Sequence, residues 1–167
     1  MKKRALINYF DSIAPKRDYW KHKNRYYYNY LEGFIEFLVP SGKKVLEIGS
    51  GTGSLLRRLK PSHGLGIDIS SRMTAHAKKN RDKTIEFRTA SIADVKGLFD
   101  YIVISDVLGY SDDVEKMFRQ ASQCLKTHGR LVVTQYSALW EPILRFASFL
   151  KLRQPDFNQN WLSLSDL

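Results

Sequence analysis

Cysteine is nearly missing from this chain. Its 167 residues hold one, Cys124, which excludes an internal disulfide framework and suits a reducing compartment. Histidine is scarce as well. His22, His63, His76 and His128 are dispersed, with no pair at metal-ligand spacing, so no metal site is expected. No Ser–His–acid order or paired-carboxylate site points to hydrolysis. No apolar run is long enough to cross a bilayer. The opening M-K-K-R-A-L-I-N-Y-F-D is basic, but Asn8 and Asp11 interrupt any apolar stretch, so it is not read as a secretory signal and a cytoplasmic protein is expected. Acidic residues are few beside basic ones, 17 Asp+Glu against 27 Lys+Arg, a formal net charge of +10. That excess favours an anionic partner, whether a phosphorylated molecule, nucleic acid or a membrane surface, without choosing among them. An apolar fraction of 43% is enough for one globular core.

What is present is organised around residues 45–54, V-L-E-I-G-S-G-T-G-S. Val45, Leu46 and Ile48 read as a buried strand with Glu47 near its end. Gly49, Gly51 and Gly53 follow at every second position, and Leu55, Leu56 and Leu59 continue at helical spacing. Glycines in such a turn bring a ligand close to bare backbone, and the helix start offers unpaired N–H groups. The spacing is G-x-G-x-G. A dinucleotide fingerprint would want its third glycine at Ser54, so the NAD-binding reading is the alternative rather than the first choice.

Upstream, residues 3–14 place Leu6, Ile7, Phe10 and Ile13 on one side of a short helix that Pro15 ends. A second helix is expected from about residue 20 to 38, stopped by Pro40-Ser41-Gly42. Residues 16–30 interleave Lys16, Arg17, Lys21, Lys23 and Arg25 with Tyr19, Trp20, Tyr26, Tyr27, Tyr28 and Tyr30. These aromatics either form a lid over a ligand mouth or turn half their number into the core. Downstream, 64–69 (G-L-G-I-D-I) reads as a second strand ending in Asp68, 19 residues after Gly49. A carboxylate there suits a ribose diol; the alternative is an N-cap for a helix over 71–80, with Ser70 as competitor. Strands are expected at 84–88, at 99–104 with Ser105 and Asp106 at its exit, and at 131–136 after a turn at 127–130. Asp112 and Asp113 start a helix with Val114, Met117, Phe118, Ala121, Cys124 and Leu125 on its core face, which makes Cys124 a packed thiol. Trp140, Ile143, Leu144, Ala147 and Leu150 mark a further amphipathic helix. A loop at 154–160 then leads to a helix start capped by Ser165.

The segment E-I-G-S-G-T-G, followed by G-L-G-I-D-I, resembles the first motifs of the class I S-adenosylmethionine-dependent methyltransferases, over about residues 43–136. The resemblance implies a Rossmann-like three-layer α/β sandwich with parallel strands ordered 3-2-1-4-5. It also implies two further strands, which these 167 residues do not include. Residues 1–42 are then an N-terminal helical lid, and 43–167 a C-terminally incomplete cofactor-binding core. By the same resemblance, Gly49, Ser50, Gly51 and Gly53 meet the methionine part of S-adenosylmethionine. Glu47 or Asp106 takes its ammonium, Asp68 the ribose, and Ile69, Ser91 and Ile92 the adenine, with Ser105 and Asp106 facing the same crevice. The family more often has Asp at the place of Ser91, so Asp94 is either a substitute or a cap for the next turn. S-D-V-L-G-Y at 105–110 lacks the Pro-Pro of enzymes that methylate base amines. The expected activity is methyl transfer to an oxygen or nitrogen of a small anionic molecule, with S-adenosylhomocysteine as product. His22, Tyr28 and Asp106 are the candidate bases. RNA methylation and a non-catalytic cofactor-binding scaffold are the alternatives.

Overall fold

Five parallel strands carry the fold: β1 (Lys44–Ile48), β2 (His63–Asp68), β3 (Ile85–Thr89), β4 (Phe99–Ser105) and β5 (Leu125–Thr134). They lie in the order β3-β2-β1-β4-β5, the arrangement the motifs imply. The structure, a computed structural model, describes residues 2–80, 82–136 and 138–150, with Leu152, Phe157 and Asn160 beyond them. Ser165 and most of the loop expected at 154–160 therefore lie outside the described residues.

Strand alternation sorts the core into two layers. Leu46, Ile48, Leu65, Ile67, Ile102 and Ile104 point to one face, where α6 (Val114–Gln123) covers them with Ala121 beside Cys124. Val45 and Val103 point to the other, against Leu55, Leu56 and Leu59 in and just after α4 (Ser54–Arg58) and Ile35 of α3 (Arg25–Leu38). Each fully buried aliphatic side chain contributes about 1.5–3 kcal/mol. Cys124 is packed as expected, and burial pushes its thiol pKa up. Asp113 starts α6 by accepting the Lys116 N–H at 2.8 Å. Asp113→Ala should lower stability by about 1 kcal/mol, read as an earlier urea midpoint at unchanged slope. No helix among the described residues is long and apolar enough to cross a membrane.

Several elements differ from the sequence reading. The long helix expected at 20–38 is two: α2 (Arg17–Lys23) and α3, separated at Asn24. Asn24 sits at φ −104°, ψ 31°, and its side-chain amide donates to the Trp20 carbonyl at 3.1 Å. A short amide side chain that competes for helix carbonyls suits such a break. The turn expected at 127–130 lies inside β5. Pairing jumps from Phe99↔Leu125 to Tyr101↔Arg130, so residues 126–129 bulge out of the ladder. The helix expected at 71–80 is α5 (Ser71–Ala77). Its cap is Ser70, whose hydroxyl accepts the Met73 N–H at 3.1 Å, so Asp68 is free of that duty. In α7 (Glu141–Phe149) the expected core face is only partly inward: Leu144 and Ala147 are half-buried, whereas Ile143, and Trp140 and Leu150 flanking the helix, are exposed.

Candidate functional site

A cavity of about 500 Å³ opens at the C-terminal ends of the strands, under α1 (Lys2–Ile13), α2 and α3. That sheet edge is where open parallel sheets bind ligands. Its floor starts at the turn after β1. Gly49 has φ +76°, and a methyl group there would fall on Val107; only glycine fits such a turn without strain. The Gly51 N–H donates to Asp68 Oδ2 at 2.9 Å. Gly53 departs from expectation, because it does not line the cavity. It has φ +79° and forms the N-cap of α4, and a methyl group there would fall on the Phe87 ring.

Glu47 and Ser50 are both buried in the cavity wall, and Glu47 Oε2 and Ser50 Oγ have no hydrogen-bond partner. Buried polar atoms are rarely left unpaired, so this pair is an opening for a ligand that donates hydrogen bonds. Burial drives the Glu47 carboxyl up to about 8. The Lys21 ammonium and the Leu56 N–H pull it back, and Glu32 and Asp68 push it further up. Asp68 is also raised by burial, against the pull of the Ser70 and Gly51 N–H groups and of Arg17. Its Oδ1 accepts the Ser70 N–H at 2.8 Å. Each oxygen therefore holds one backbone amide and has further acceptor capacity, and Asp68 lines the cavity.

Ile69, Ser91 and Ile92 line the cavity beyond Asp68. Asp94 does not. Its Oδ2 accepts both the N–H and the hydroxyl of Ser91, at 2.9 and 2.8 Å, which makes it the cap of the next turn. At the other end stand Ser105 and Asp106. Ser105 Oγ accepts from Thr134 Oγ1 at 3.0 Å. Asp106 adopts φ +55° and its Oδ2 lies 3.5 Å from the Tyr27 hydroxyl. Burial, with the Asp106 charge beside it, raises the Tyr27 phenol, and the Tyr136 phenol likewise. Of the three candidate bases, Tyr28 and Asp106 line the cavity. His22 is corrected: it is exposed and turned away, because α2 gives its inner face to Arg17, Trp20 and Lys21.

The basic and aromatic stretch that the sequence leaves undecided between lid and core supplies part of the cavity lining, through Arg17, Trp20, Lys21, Tyr27 and Tyr28. Tyr27 stacks on Tyr136, with centroids 5.5 Å apart and planes at 16°. The Arg17 guanidinium stands 5.7 Å over the Tyr28 ring. Helical spacing of Arg17, Trp20, Lys21, Asn24 and Tyr28 was the available signal, hidden by reading the helix from residue 20. Carboxylates then fasten this N-terminal segment to the floor. Asp11 Oδ1 accepts the Ser70 hydroxyl at 2.6 Å and the Arg72 N–H at 3.2 Å. Asp18 Oδ1 accepts the Thr52 hydroxyl at 2.6 Å, and its Oδ2 lies 3.5 Å from His76 Nδ1. Lys21 Nζ reaches Glu32 at 3.2 Å and the Ser54 hydroxyl at 2.5 Å.

The family model described as "Methyltransferase domain" matches residues 19–166. An uncharacterized protein of Methanocaldococcus jannaschii is 31% identical over 128 residues, 76% of this chain and 60% of that protein. The mitochondrial ubiquinone biosynthesis O-methyltransferase of Bos taurus is 35% identical over 107 residues, 56% of this chain and 29% of that protein. The chain thus spans less than two thirds of the length of either relative. Among solved structures, magnesium protoporphyrin IX methyltransferase from Synechocystis with bound S-adenosylhomocysteine superposes with a TM-score of 0.72 at 18% identity, over 99% of this chain and 85% of that one. At that identity the likeness is one of fold. With the family model spanning most of the sequence, and a strand order and glycine turn to match, the chain belongs to the methyltransferase-domain family, among the class I S-adenosylmethionine-dependent methyltransferases.

Proposed function

We propose that the chain binds S-adenosylmethionine and transfers its methyl group to an oxygen or nitrogen of a small anionic molecule, leaving S-adenosylhomocysteine. The observation that carries this reading is the unpaired Glu47 Oε2 and Ser50 Oγ beside Gly49, two buried atoms that an ammonium group would satisfy. Asp68 is the ribose partner, and Ile69, Ser91 and Ile92 are the adenine walls. When bound, the sulfonium supplies a methyl group that is already activated. The protein's share is alignment and exclusion of water. Tyr27, Tyr28 and Tyr136 line the cavity, and Asp106 is the base we assign if the methyl acceptor carries a proton.

RNA methylation is less well supported. The cations of residues 16–25 are divided: Arg17 and Lys21 face the cavity, while Lys23 stands 4.8 Å over the Trp20 ring and Arg25 is exposed. A divided set makes no continuous phosphate track. The test is tritium transfer from labelled cofactor into a cell extract, with and without the chain. Label is expected in a small-molecule fraction, and binding should fall with salt at a logarithmic slope of only about one or two. Label in RNA, with a slope near one per neutralised phosphate, would favour the nucleic-acid reading. Cofactor binding with no transfer at all would favour the scaffold.

A further inference from the structure

One helix carries apolar side chains on two sides. Leu144 and Ala147 of α7 line the cavity. Ile143, Phe146, Phe149 and, just after the helix, Leu150 are exposed. At 3.6 residues per turn these four fall within one arc of about 120°, away from Leu144 and Ala147. Phe149 is 81% exposed. The two sides meet at Leu152, which is 54% exposed and yet lines the cavity. Its N–H donates to the Ala147 carbonyl at 2.9 Å, so this rim is tied to the helix. The cavity therefore has an apolar lip that continues into the outer face of α7. Contiguous apolar surface of this kind marks an interface with a protein or with a membrane.

We propose that α7 docks on an anionic bilayer surface, its outer face among headgroups and upper acyl chains, with the cavity rim beside it. Charge selects this occupant. The chain carries a formal net charge of +10. A second copy would bring the same charge and be repelled, whereas an anionic surface attracts it. The bias is also local in sequence. Residues 138–153 hold Arg145, Lys151 and Arg153 against one acid, Glu141. Leu and Phe interleaved with Arg and Lys, led by a Trp, is the composition of a helix that lies in the plane of the interface. Trp140, at its start, is exposed, and an indole suits a boundary that is apolar on one side and wet on the other. A second cationic element approaches the same end of the chain. The rings of Tyr9 and Phe157 lie 5.4 Å apart, which joins α1 to the segment after α7. Lys3 and Arg4 of α1 are exposed. The other exposed apolar stripe, Tyr30, Phe34 and Phe37 on α3, shares no residue with the cavity lining and serves as the control.

The experiment sediments the full chain with vesicles of phosphatidylcholine alone, and of phosphatidylcholine and phosphatidylglycerol in roughly equal parts. Wild type should partition about tenfold or more in favour of the mixed vesicles and lose that preference in high salt. Phe146→Gln combined with Phe149→Gln should weaken the mixed-vesicle partition by about tenfold or more, because both rings leave water on docking. Both side chains are exposed, so the double variant should melt with wild type; Phe149→Gln alone repeats the test if it does not. Phe34→Gln combined with Phe37→Gln should bind vesicles as wild type does. The proposal is overturned if wild type ignores the mixed vesicles or takes both kinds equally. It is overturned as well if the α7 variants bind like wild type, or if the α3 variant loses as much as they do. Self-association that disappears with Phe146 and Phe149, in a chain that ignores vesicles, overturns it too and assigns the face to a second copy. None of these readouts uses S-adenosylmethionine, so the outcome is independent of the cofactor reading.

Discussion

Asp68→Ala should weaken S-adenosylhomocysteine binding by roughly tenfold to a hundredfold, the equivalent of about 1.5–3 kcal/mol for a charge-assisted hydrogen-bonded pair. The effect has two sources. The carboxylate is the proposed ribose acceptor, and it also ties Gly51 to Ser70 through their backbone N–H groups. Removing it leaves both amides without that acceptor, so the glycine turn loosens before any ligand arrives. Calorimetry with the ligand and thermal unfolding without it separate the two. A lower melting temperature with unchanged affinity would show that Asp68 braces the loop and does nothing for ribose. Asn is not a silent control here, since its amide nitrogen would face one of the two backbone donors.

The second large effect concerns pH. The Glu47 carboxyl sits at about 8 in the folded chain because burial penalises its charge. Its folded value lies above the usual glutamate value, so ionising it costs stability. The ligand-free fold therefore weakens as pH rises from the ordinary carboxylate range through about 8. A bound ammonium reverses the preference, because it favours the ionised form. Binding must then release a proton below that pH, and affinity should climb with pH by up to about tenfold per unit before flattening above the folded pKa. Calorimetry in buffers of different ionisation enthalpy reads the released proton directly. Glu47→Gln should bind more weakly and lose both the slope and the proton. If the Gln variant keeps the slope, the titrating group lies elsewhere and Glu47 is not the ammonium's partner.

The fold was legible wherever the signal is local. Strand, glycine turn and helix follow one another within residues 44–58, and each step is dictated by neighbours in sequence. The same holds for Asp113 and its helix. Gly53 shows the limit. Its spacing reads as ligand contact, while a methyl group there would fall on Phe87, a residue 34 positions away. The bulge at 126–129 is also invisible locally, because it is defined by which residues of β4 it skips. In the site, Glu47 and Asp68 could be named from their motif. Arg17 could be named only as one of five cations among aromatics; which of them line the cavity depends on helix phase. His22 was named as the one histidine in the lid segment. Helix phase, which chemistry alone does not reveal, turns it outward.

The carboxylates of the N-terminal segment have a consequence for timing. Asp11 grips the residues after Asp68, and Asp18 grips the residue after Gly51. The segment that roofs the cavity is thus fastened to the two loops proposed to hold adenosine and methionine. It cannot swing aside without disturbing both. Entry and exit then share one event, the simultaneous letting-go of several short contacts, which is far slower than any one of them breaking alone. Under the proposed activity, opening of this segment is a gating step that admits the cofactor and lets the product nucleoside leave.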